Sequence, residues 1–435
     1  MKKIYSLITG TCLIAISAIQ LSAQCPGIRY HDFIFPGADV TSDVTYGSNI
    51  TWSGSTQTLK LDVYQPQGDT TSPRALIIWA HGGSFIGGSK ADMAQLCTDF
   101  AKMGYVTASI DYRLLMTGLI PGTGNVDSNS AGAAVMRAVH DARAVVRFFR
   151  KSVVEDSNIY RIDTNNIYFG GASAGALMAL HLAYMDESNE FPSYIDTTGV
   201  TVGSVTGQKG LHGGIEGLSG NQGYSSKVKA IVDLSGAISD TAWIHQGDIP
   251  LFSSHATGDG TVPYGTALIY LSPPSTYPIQ VVDGSASVIA RANEMGITNC
   301  FKTYYINDHV PEADTPYYDT SLCLIRNFLE HYTCGIPLDC NYTGKVTGIN
   351  NITTKEASFN VYPNPSSNFI TVDLKEFSGK NIDIELYDAL GRKIKTVSKI
   401  KAENYTLTRE GIPRGIYSVN IIVDEKIYSK KVIFE

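Results

Sequence analysis

Residues 167–184 read IYFGGASAGALMALHLAY, and this stretch decides the fold of the first part of the chain. The run IYFGG has the length of a buried strand, whereas the residues after Ser173 repeat apolar side chains at the period of a helix. Residues 171–175, GASAG, form a G-x-S-x-G pattern between the two. Small neighbours allow a sharp strand-to-helix turn that exposes the serine hydroxyl. The context predicts a nucleophile; the alternative is a glycine-rich joint with an incidental serine.

Strand-like and helix-like segments alternate around this stretch from about residue 59 to residue 333. The strand candidates include LKLDVY, ALIIWA, VTASIDY, VKAIVDLSG, PLFSSHA and FKTYYIND, and the helix candidates include DMAQLCTDFAKM, AAVMRAVHDARAVVRFFR and SLCLIRNFLEHY. Such alternation predicts an α/β fold, a doubly wound and mostly parallel sheet with helices on both faces. Residues 186–227 interrupt the rhythm with Gly, Ser and Thr, so we expect an irregular insertion near the mouth of a site.

A second, all-β domain is predicted at the carboxyl end. Residues 343–358 contain few bulky apolar side chains and are predicted to be a linker. In residues 359–435, seven short runs of alternating hydrophobicity are separated by turns such as PNPSSN, ALG and PRG. Short strands at this spacing predict a small antiparallel β-sandwich.

The amino-terminal residues 1–23 have the pattern of a secretory signal peptide. Two lysines precede an apolar stretch that is too short to be a spanning helix, and small residues follow up to Ala23. We therefore expect cleavage after Ala23 and a first domain that covers residues 24–342. Lipidation of Cys25 is the alternative, but Gln24 stands where a lipoprotein signal needs a small residue.

The cysteine content and the net charge limit the expected disulfides, metals and partners. Six cysteines follow the signal segment, an even number that predicts disulfides in an exported protein. Spacing favours a pair between Cys334 and Cys340 and leaves the other pairings open. No Cys/His cluster has zinc spacing, and we expect neither a metal nor a cofactor. The net charge of −7 argues against nucleic acid as a partner.

Two residues at the ends of later strands could activate Ser173. A serine hydroxyl needs a base that accepts its proton. Asp259 follows PLFSSHA in a Gly-Asp-Gly turn, and His309 follows FKTYYIND. Each residue alone is more often a turn or solvated residue, but both occupy the strand ends where open α/β sheets bind ligands. Their order after the serine is that of a nucleophile–acid–base triad, whereas His255 lies within or beside a strand.

Residues 81–90, HGGSFIGGSK, follow the strand ALIIWA and bring several glycines close together. The lysine is one place late for a phosphate-binding P-loop, and the glycines do not have dinucleotide spacing. Backbone N–H groups without a neighbouring Cβ can stabilise the negative oxygen of an acyl-transfer intermediate. We therefore predict that Gly82 and Gly83, together with Ala174, form an oxyanion hole, and that His81 holds this loop.

HGGSFIGG, DYRL at 111–114, DARAVVRFFR at 141–150 and GASAG together resemble the motifs of α/β-hydrolase carboxylesterases and lipases. The resemblance covers about residues 55–333. It implies a triad of Ser173, Asp259 and His309 with an oxyanion hole of Gly82, Gly83 and Ala174. We interpret Asp111, Arg113 and Asp141 as a hydrogen-bonded structural brace with no catalytic role. HGGS and GASAG replace the HGGG and GDSAG of one branch of the family.

VYPNPSSNFITV, YDALGRKI, GIPRGIYSV and KKVIFE are similar to C-terminal sorting domains of the type IX secretion system. The resemblance implies secretion or display at the cell surface, with the secretion machinery as a partner and no stable membrane insertion. A carbohydrate-binding sandwich is the alternative, but every tryptophan precedes the linker.

These features lead to one expected function and two alternatives. We expect a secreted serine carboxylesterase that acts on a small or polysaccharide-linked ester through an acyl-enzyme. The alternatives are a non-catalytic binding protein on a hydrolase fold and a serine peptidase.

Overall fold

The computed structural model describes Cys25 and residues 28–114, 128–197, 209–270, 278–344, 346, 359–388, 392–423 and 426–435. The chain forms two compact units, Met1–Thr347 and Gly348–Glu435. The predicted signal peptide and most of the predicted linker lie outside the described residues. The domain limits given above therefore remain predictions.

The first unit is built on one large mixed sheet. Its strands, with those of a smaller sheet, are β1 Ala38–Ile50, β2 Thr56–Pro66, β3 Arg74–Ala80, β4 Val106–Ile110, β5 Ile162–Ala172, β6 Ala230–Leu234, β7 Ala237–Ile238, β8 Leu251–Ala256, β9 Thr266–Tyr270, β10 Pro278–Gly284 and β11 Asn299–Tyr304. The large sheet has the order β1-β2-β4-β3-β5-β6-β8-β11. Neighbours are parallel from β4 to β11, and β1 and β2 pair in antiparallel fashion. The prediction of a mostly parallel sheet is confirmed.

Helices cover both faces of the large sheet. They are α1 Ala94–Lys102, α2 Ser128–Glu155, α3 Ala174–Tyr184, α4 Ser285–Glu294 and α5 Tyr317–Cys334. Successive side chains of a strand point to opposite faces. On β3, Ile78 therefore joins the apolar cluster of α2, α3 and α4, whereas Trp79 joins the cluster of α1 and α5. This doubly covered sheet is the α/β-hydrolase arrangement.

Glycines make the joint between β5 and α3 possible. A Cβ atom on Gly171 would lie 2.3 Å from the backbone of Gly175, and a Cβ atom on Gly175 would lie 2.1 Å from the carbonyl oxygen of Ala80. Strand, turn and helix therefore pack backbone against backbone. Ser173 has a φ of 52° at the turn, a left-handed conformation that costs about 1–3 kcal/mol in a residue other than glycine.

Three parts of the first unit are absent from the sequence prediction. Strand β1 reads ADVTSDVTYGSNI and is largely exposed at the sheet edge, so its alternation is weak. Strands β9 and β10 form, with β7, a separate antiparallel sheet. Helix α4 buries only Ser285, Val288, Ile289 and Ala292, too few positions for a clear helical period.

The predicted pairing of Cys334 with Cys340 is wrong. Cys25 pairs with Cys334, and Cys300 pairs with Cys340, at Cα separations of 5.8 Å and 5.4 Å. Cys334 is the last residue of α5, and the chain beyond it crosses to the first residues of β11 before Cys340 is reached. Proximity in the sequence therefore does not give proximity of the two sulfurs. Cys97 and Cys323 are buried and unpaired.

The second unit is a small all-β domain, as predicted. Its strands are β12 Val361–Tyr362, β13 Phe369–Asp373, β14 Ile382–Asp388, β15 Lys393–Ile400, β16 Asn404–Thr408, β17 Gly415–Val423 and β18 Lys426–Phe434. They form two antiparallel sheets with the orders β12-β13-β16 and β15-β14-β17-β18. Alternate residues of both sheets, such as Ile370 and Val419, meet in one apolar core.

Candidate active site

The three residues predicted to form a triad lie together at one edge of the large sheet. Nε2 of His309 is 2.8 Å from Oγ of Ser173, and Nδ1 of His309 is 2.7 Å from Oδ2 of Asp259. The three residues follow β5, β8 and β11, which are parallel strands of one sheet. Their carboxyl ends therefore reach the same edge, where α/β sheets place their ligands.

Backbone hydrogen bonds hold the loops of Asp259 and His309 against each other. The N–H of Thr257 donates to the carbonyl of Tyr304 at 2.8 Å, and the N–H of Gly258 donates to the carbonyl of Ile306 at 3.0 Å. The parallel pairing of β8 with β11 thus continues past the strand ends. This continuation fixes the distance between the carboxylate and the imidazole.

The chain after His309 is fixed by a buried glutamate. Val310 has a φ of 56°, a left-handed value that is rare in a β-branched residue. The short 3-10 helix Pro311–Ala313 follows, and the carboxylate of Glu312 accepts a hydrogen bond from the hydroxyl of Ser254 on β8. The strained backbone beside His309 is therefore anchored to the sheet.

Three hydrogen-bond donors and the ring of His255 surround the carboxylate of Asp259. Oδ1 accepts from the N–H groups of Thr261 and Val262 at 2.8 Å and 3.0 Å, and Oδ2 faces His309 and His255. Burial acts to raise the pKa of Asp259, but the bonds to the two histidines outweigh it and hold this pKa well below the usual carboxyl range. Asp259 is therefore a carboxylate at neutral pH, as the partner of a histidine base must be.

The site is shielded but open to a ligand. Ser173 is 7% exposed, and the side chain of His309 is 24% exposed, whereas that of Asp259 is fully buried. A cavity that is partly open to solvent adjoins Ser173. Its lining is mostly apolar and comes from the loop after β3, from α2 and α3, and from β9 and β10, including Phe85, Val135, Leu177, Ile269 and Val282. A substrate whose reacting atom lies at Ser173 would therefore place an apolar group in this cavity.

The glycine-rich loop folds tightly over Ser173. Gly83 has a φ of 112°, and a Cβ atom on it would lie 2.3 Å from the carbonyl oxygen of Gly87. A Cβ atom on Gly82 would lie 3.2 Å from the Cβ of Ser173. Ser84, which stands where related motifs have a third glycine, takes a left-handed φ of 53°. The loop backbone therefore comes as close to Ser173 as glycine alone allows.

The N–H groups predicted for the oxyanion hole are free of backbone partners. Ala174 is the first residue of α3, where helix N–H groups lack intrahelical acceptors. Among the backbone hydrogen bonds of the described residues, none uses the N–H of Gly82, Gly83 or Ala174. The partial positive charge of a helix amino terminus adds to their attraction for a negative oxygen.

His81 and Lys90, at the two ends of the loop, have structural roles. His81 is buried, its Nδ1 lies 2.6 Å from the carbonyl oxygen of Gly82, and its ring stacks on Tyr112. Burial lowers the pKa of His81, which favours the neutral ring. Lys90 places Nζ 2.9 Å from Asp62 and therefore neutralises an acidic side chain of β2.

A second polar network lies in the interior, away from the cavity. Arg113 and Asp141 form a fully buried ion pair at 2.8 Å, and the hydroxyl of Ser219 donates to Asp141 at 2.5 Å. Arg113 also donates to the carbonyl oxygens of Ile50 and Gly210. We call Arg113, Asp141 and Ser219 the arginine brace. It joins α2 to the predicted insertion, and Tyr194 of that insertion lies against Gly132, which lines the cavity.

Sequence reasoning missed His255. Its imidazole is fully buried on β8, and its Nε2 lies 3.2 Å from the same carboxylate oxygen that His309 contacts. A histidine four residues before the candidate acid was the available signal. Because it stands within a strand, its side-chain direction could not be deduced from the sequence.

Two kinds of feature are absent from the described residues. Within the described ranges, no three or more His, Cys, Asp or Glu side chains are placed to hold a metal ion. In the same part of the chain, no helix combines the length and the apolar character that a membrane crossing requires.

Comparison with protein families assigns both parts of the chain. The BD-FAE family model matches residues 61–269, and the model of the secretion system C-terminal sorting domain matches residues 360–435. With the doubly covered sheet, these matches show an α/β-hydrolase. Residues 61–269 therefore match an esterase-type α/β-hydrolase domain, and residues 360–435 match a C-terminal secretion sorting domain.

Individual relatives are more distant. The chain is 31% identical over 176 residues to a probable isoprenylcysteine alpha-carbonyl methylesterase of Oryza sativa subsp. japonica. This match covers 40% of the chain and only 35% of that relative. The apo form of Thermogutta terrifontis esterase 2 has a TM-score of 0.47 at 19% identity, with coverage of 72% of this chain and 98% of that one. The propionate-bound form has a TM-score of 0.46 at 20% identity, with coverage of 69% and 96%.

Proposed function

We propose that the chain is a secreted serine carboxylesterase in which Ser173 is the nucleophile, His309 the base and Asp259 the residue that orients the base. One observation carries this proposal: the hydrogen-bonded series from Asp259 through His309 to Ser173 ends at an apolar cavity. A non-catalytic binding protein would not require an activated hydroxyl at this position.

The proposed reaction has two steps. His309 takes the proton of Ser173 as Oγ bonds to the ester carbonyl carbon, and the resulting oxyanion accepts hydrogen bonds from the N–H groups of Gly82, Gly83 and Ala174. The bond to the alcohol oxygen then breaks, and His309 returns the proton to the leaving alcohol. Water attacks the acyl-enzyme with His309 again as base, which releases the carboxylic acid and restores Ser173.

The cavity supports a neutral, apolar acyl group. Within the described lining, every side chain is uncharged, and the polar ones include Ser84, Thr261 and Gln280. A charged acyl group would lose its hydration without gaining a partner. We therefore expect butyrate to octanoate esters, or an aromatic acyl group, to be preferred over charged dicarboxylate half-esters.

The sorting domain supports export. A chain with this domain is addressed to the cell surface or the medium, and we propose export through the type IX machinery after removal of residues 1–23. Esters attached to extracellular polymers are accessible to such an enzyme, as are small free esters.

Hydrolysis of p-nitrophenyl esters tests the proposal. We expect kcat/KM of Ser173→Ala to fall by several powers of ten, since the remaining groups lack a nucleophile. Ser152→Ala is the matched control, because the Ser152 hydroxyl bonds only to the carbonyl of Phe149 within α2. Labelling by diethyl p-nitrophenyl phosphate, located by mass spectrometry, should modify Ser173 alone.

Three outcomes would contradict the proposal. Activity that survives in Ser173→Ala would remove Ser173 as nucleophile. A wild-type protein that binds esters without turnover and resists labelling would be the binding protein. Cleavage of peptide amides at a rate above that of the ester series would indicate a serine peptidase.

A further inference from the structure

The side chain of His255 contacts the same carboxylate of Asp259 as His309 does. Its ring is fully buried, and its Nε2 lies 3.2 Å from Oδ2 of Asp259 and 3.1 Å from the carbonyl oxygen of Val262. A carboxylate and a carbonyl can only accept hydrogen bonds. Nε2 of His255 must therefore carry a proton.

The other nitrogen of His255 faces a series of donors that ends at a second carboxylate. Nδ1 lies 2.8 Å from the hydroxyl of Ser285, and that hydroxyl lies 2.7 Å from Oδ2 of Asp233. Asp233 also accepts from the hydroxyl of Ser253 and the N–H of Gly236. Donors converge on Asp233, so Ser285 gives its single proton to Asp233 and accepts from Nδ1. Both nitrogens of His255 then carry protons, which makes the ring a cation between two carboxylates.

The charged groups around the ring agree with this state. Burial acts to lower the pKa of His255, but the bond to Asp259 and the charge of Asp233 overcome it, and the pKa is raised. Burial raises the pKa of Asp233, and the charge of His255 opposes that shift. Burial also raises the pKa of Glu312. The ring of Tyr264 packs edge to face against the ring of His255. Asp233 and Asp259 thus carry two negative charges, and His255 carries one positive charge. One net negative charge remains to face His309.

His255 and His309 share a single oxygen atom. Both place a nitrogen against Oδ2 of Asp259, at 3.2 Å and 2.7 Å. We propose that His255 is a positioning residue, a buried imidazolium that fixes this oxygen for His309 and places a positive charge beside it. The proposal rests on the function proposed above for its catalytic consequence. The charge of His255 itself does not depend on that function.

Histidine NMR of the full chain tests the charge state without any substrate. In protein labelled at its nine histidines, the signals of His255 are assigned by their loss in His255→Gln. We expect these signals to stand at imidazolium positions at neutral pH, because the buried proton is held by two carboxylates. Signals of a neutral ring at pH 7 would overturn the proposal.

The pH profile of kcat/KM tests the effect on His309. A nearby positive charge opposes the addition of a second proton, so the loss of the His255 cation in His255→Gln should move the midpoint of the acidic limb upward. His140→Gln removes another buried histidine, one that does not contact Asp259, and should leave the midpoint in place.

The double variant Asp233→Asn/His255→Gln removes one negative and one positive charge. It allows the pH profile to be measured if His255→Gln alone unfolds. It should show the same upward direction, because the removed cation is the nearer charge to His309. An unchanged midpoint in either folded variant would overturn the proposal. Absence of esterase activity and of Ser173 labelling in the wild type would instead contradict the proposed function, and the NMR signals of His255 would still decide its charge.

Discussion

The candidate active site and the arginine brace contain similar residue types but differ in accessibility. Each contains an aspartate, a serine and a basic side chain at hydrogen-bond distance. Arg113 and Asp141 are entirely buried, whereas the side chain of His309 is 24% exposed and Ser173 adjoins a cavity. Residue types alone therefore do not define a site. A site also needs access for a ligand and a group that can exchange a proton.

The type of basic residue decides whether each network can exchange a proton. Arginine keeps its proton at every physiological pH, so the pair of Arg113 with Asp141 can only hold structure. Histidine exchanges its proton near neutral pH, so the pair of His309 with Asp259 can serve a reaction. The two networks should therefore respond in opposite ways to the same substitution.

Replacement of the site aspartate should give the largest effect. Asp259→Asn removes the charge that stabilises the protonated His309, and we expect kcat/KM for a p-nitrophenyl ester to fall by about 10⁴-fold. Steady-state kinetics, with circular dichroism to show that the variant is folded, measures this change. A folded Asp259→Asn that keeps wild-type kcat/KM would remove the distinction between the two networks.

The matched substitution in the brace should change stability instead. Asp141→Asn leaves the guanidinium of Arg113 buried without its counter-charge, and we expect a loss of about 3–5 kcal/mol in the free energy of unfolding. Urea denaturation measures it. The fraction that remains folded should keep kcat/KM within a few-fold of wild type, and a selective loss of kcat/KM with unchanged stability would assign the brace to the chemistry.

Glycine substitutions extend the same comparison to the backbone. Gly83→Ala should lower kcat by about 10²–10³-fold, because the new Cβ atom displaces the proposed oxyanion donors. Gly217→Ala is the control in the brace region, where a Cβ atom would lie 2.2 Å from the ring of His140 at a φ of 60°. It should lower the melting temperature without a comparable change in kcat. Equal kinetic effects of the two variants would argue against an oxyanion role for the loop.

The smallest expected effect is the contribution of His140, which lies next to the arginine brace, to the pH dependence of stability. Burial, together with the charges of Arg113 and Arg143, lowers the pKa of His140 from 6.5 to about 3. Between these values the unfolded chain binds a proton that the folded chain does not, so stability falls as the pH falls, by about 1.4 kcal/mol per pH unit. His140→Gln should flatten this slope in urea denaturation from pH 7 to pH 4. An unchanged slope would show that His140 is protonated in the folded state.

Much of this organisation could be predicted because its causes are local. The alternation of apolar periods predicts the doubly covered sheet, and the small residues of GASAG predict the turn at Ser173. Asp259 and His309 could be selected because both follow strands, and parallel strands end at one edge. Cys334 and Cys340 show where such reasoning fails, since separation along the chain says nothing about the direction of a helix end.

His255 shows that sequence reasoning also failed to identify a residue within the site. Its position in β8 gives it the pattern of an ordinary core residue, and its partners Asp233 and Ser285 come from β6 and α4. Only the neighbouring positions of β6 and β8 in the sheet bring these groups around one ring.

The sequence by itself determined the strand–turn–helix joint at Ser173, the α/β order and the all-β domain, because each depends on periodicity and side-chain size over a few residues. The tertiary structure alone decided which polar groups meet: a single oxygen of Asp259 between two histidines, the closed arginine brace, and the pairing of the cysteines. Those contacts depend on strand order and on side-chain direction at the strand ends, and neither is encoded in a short stretch of the chain.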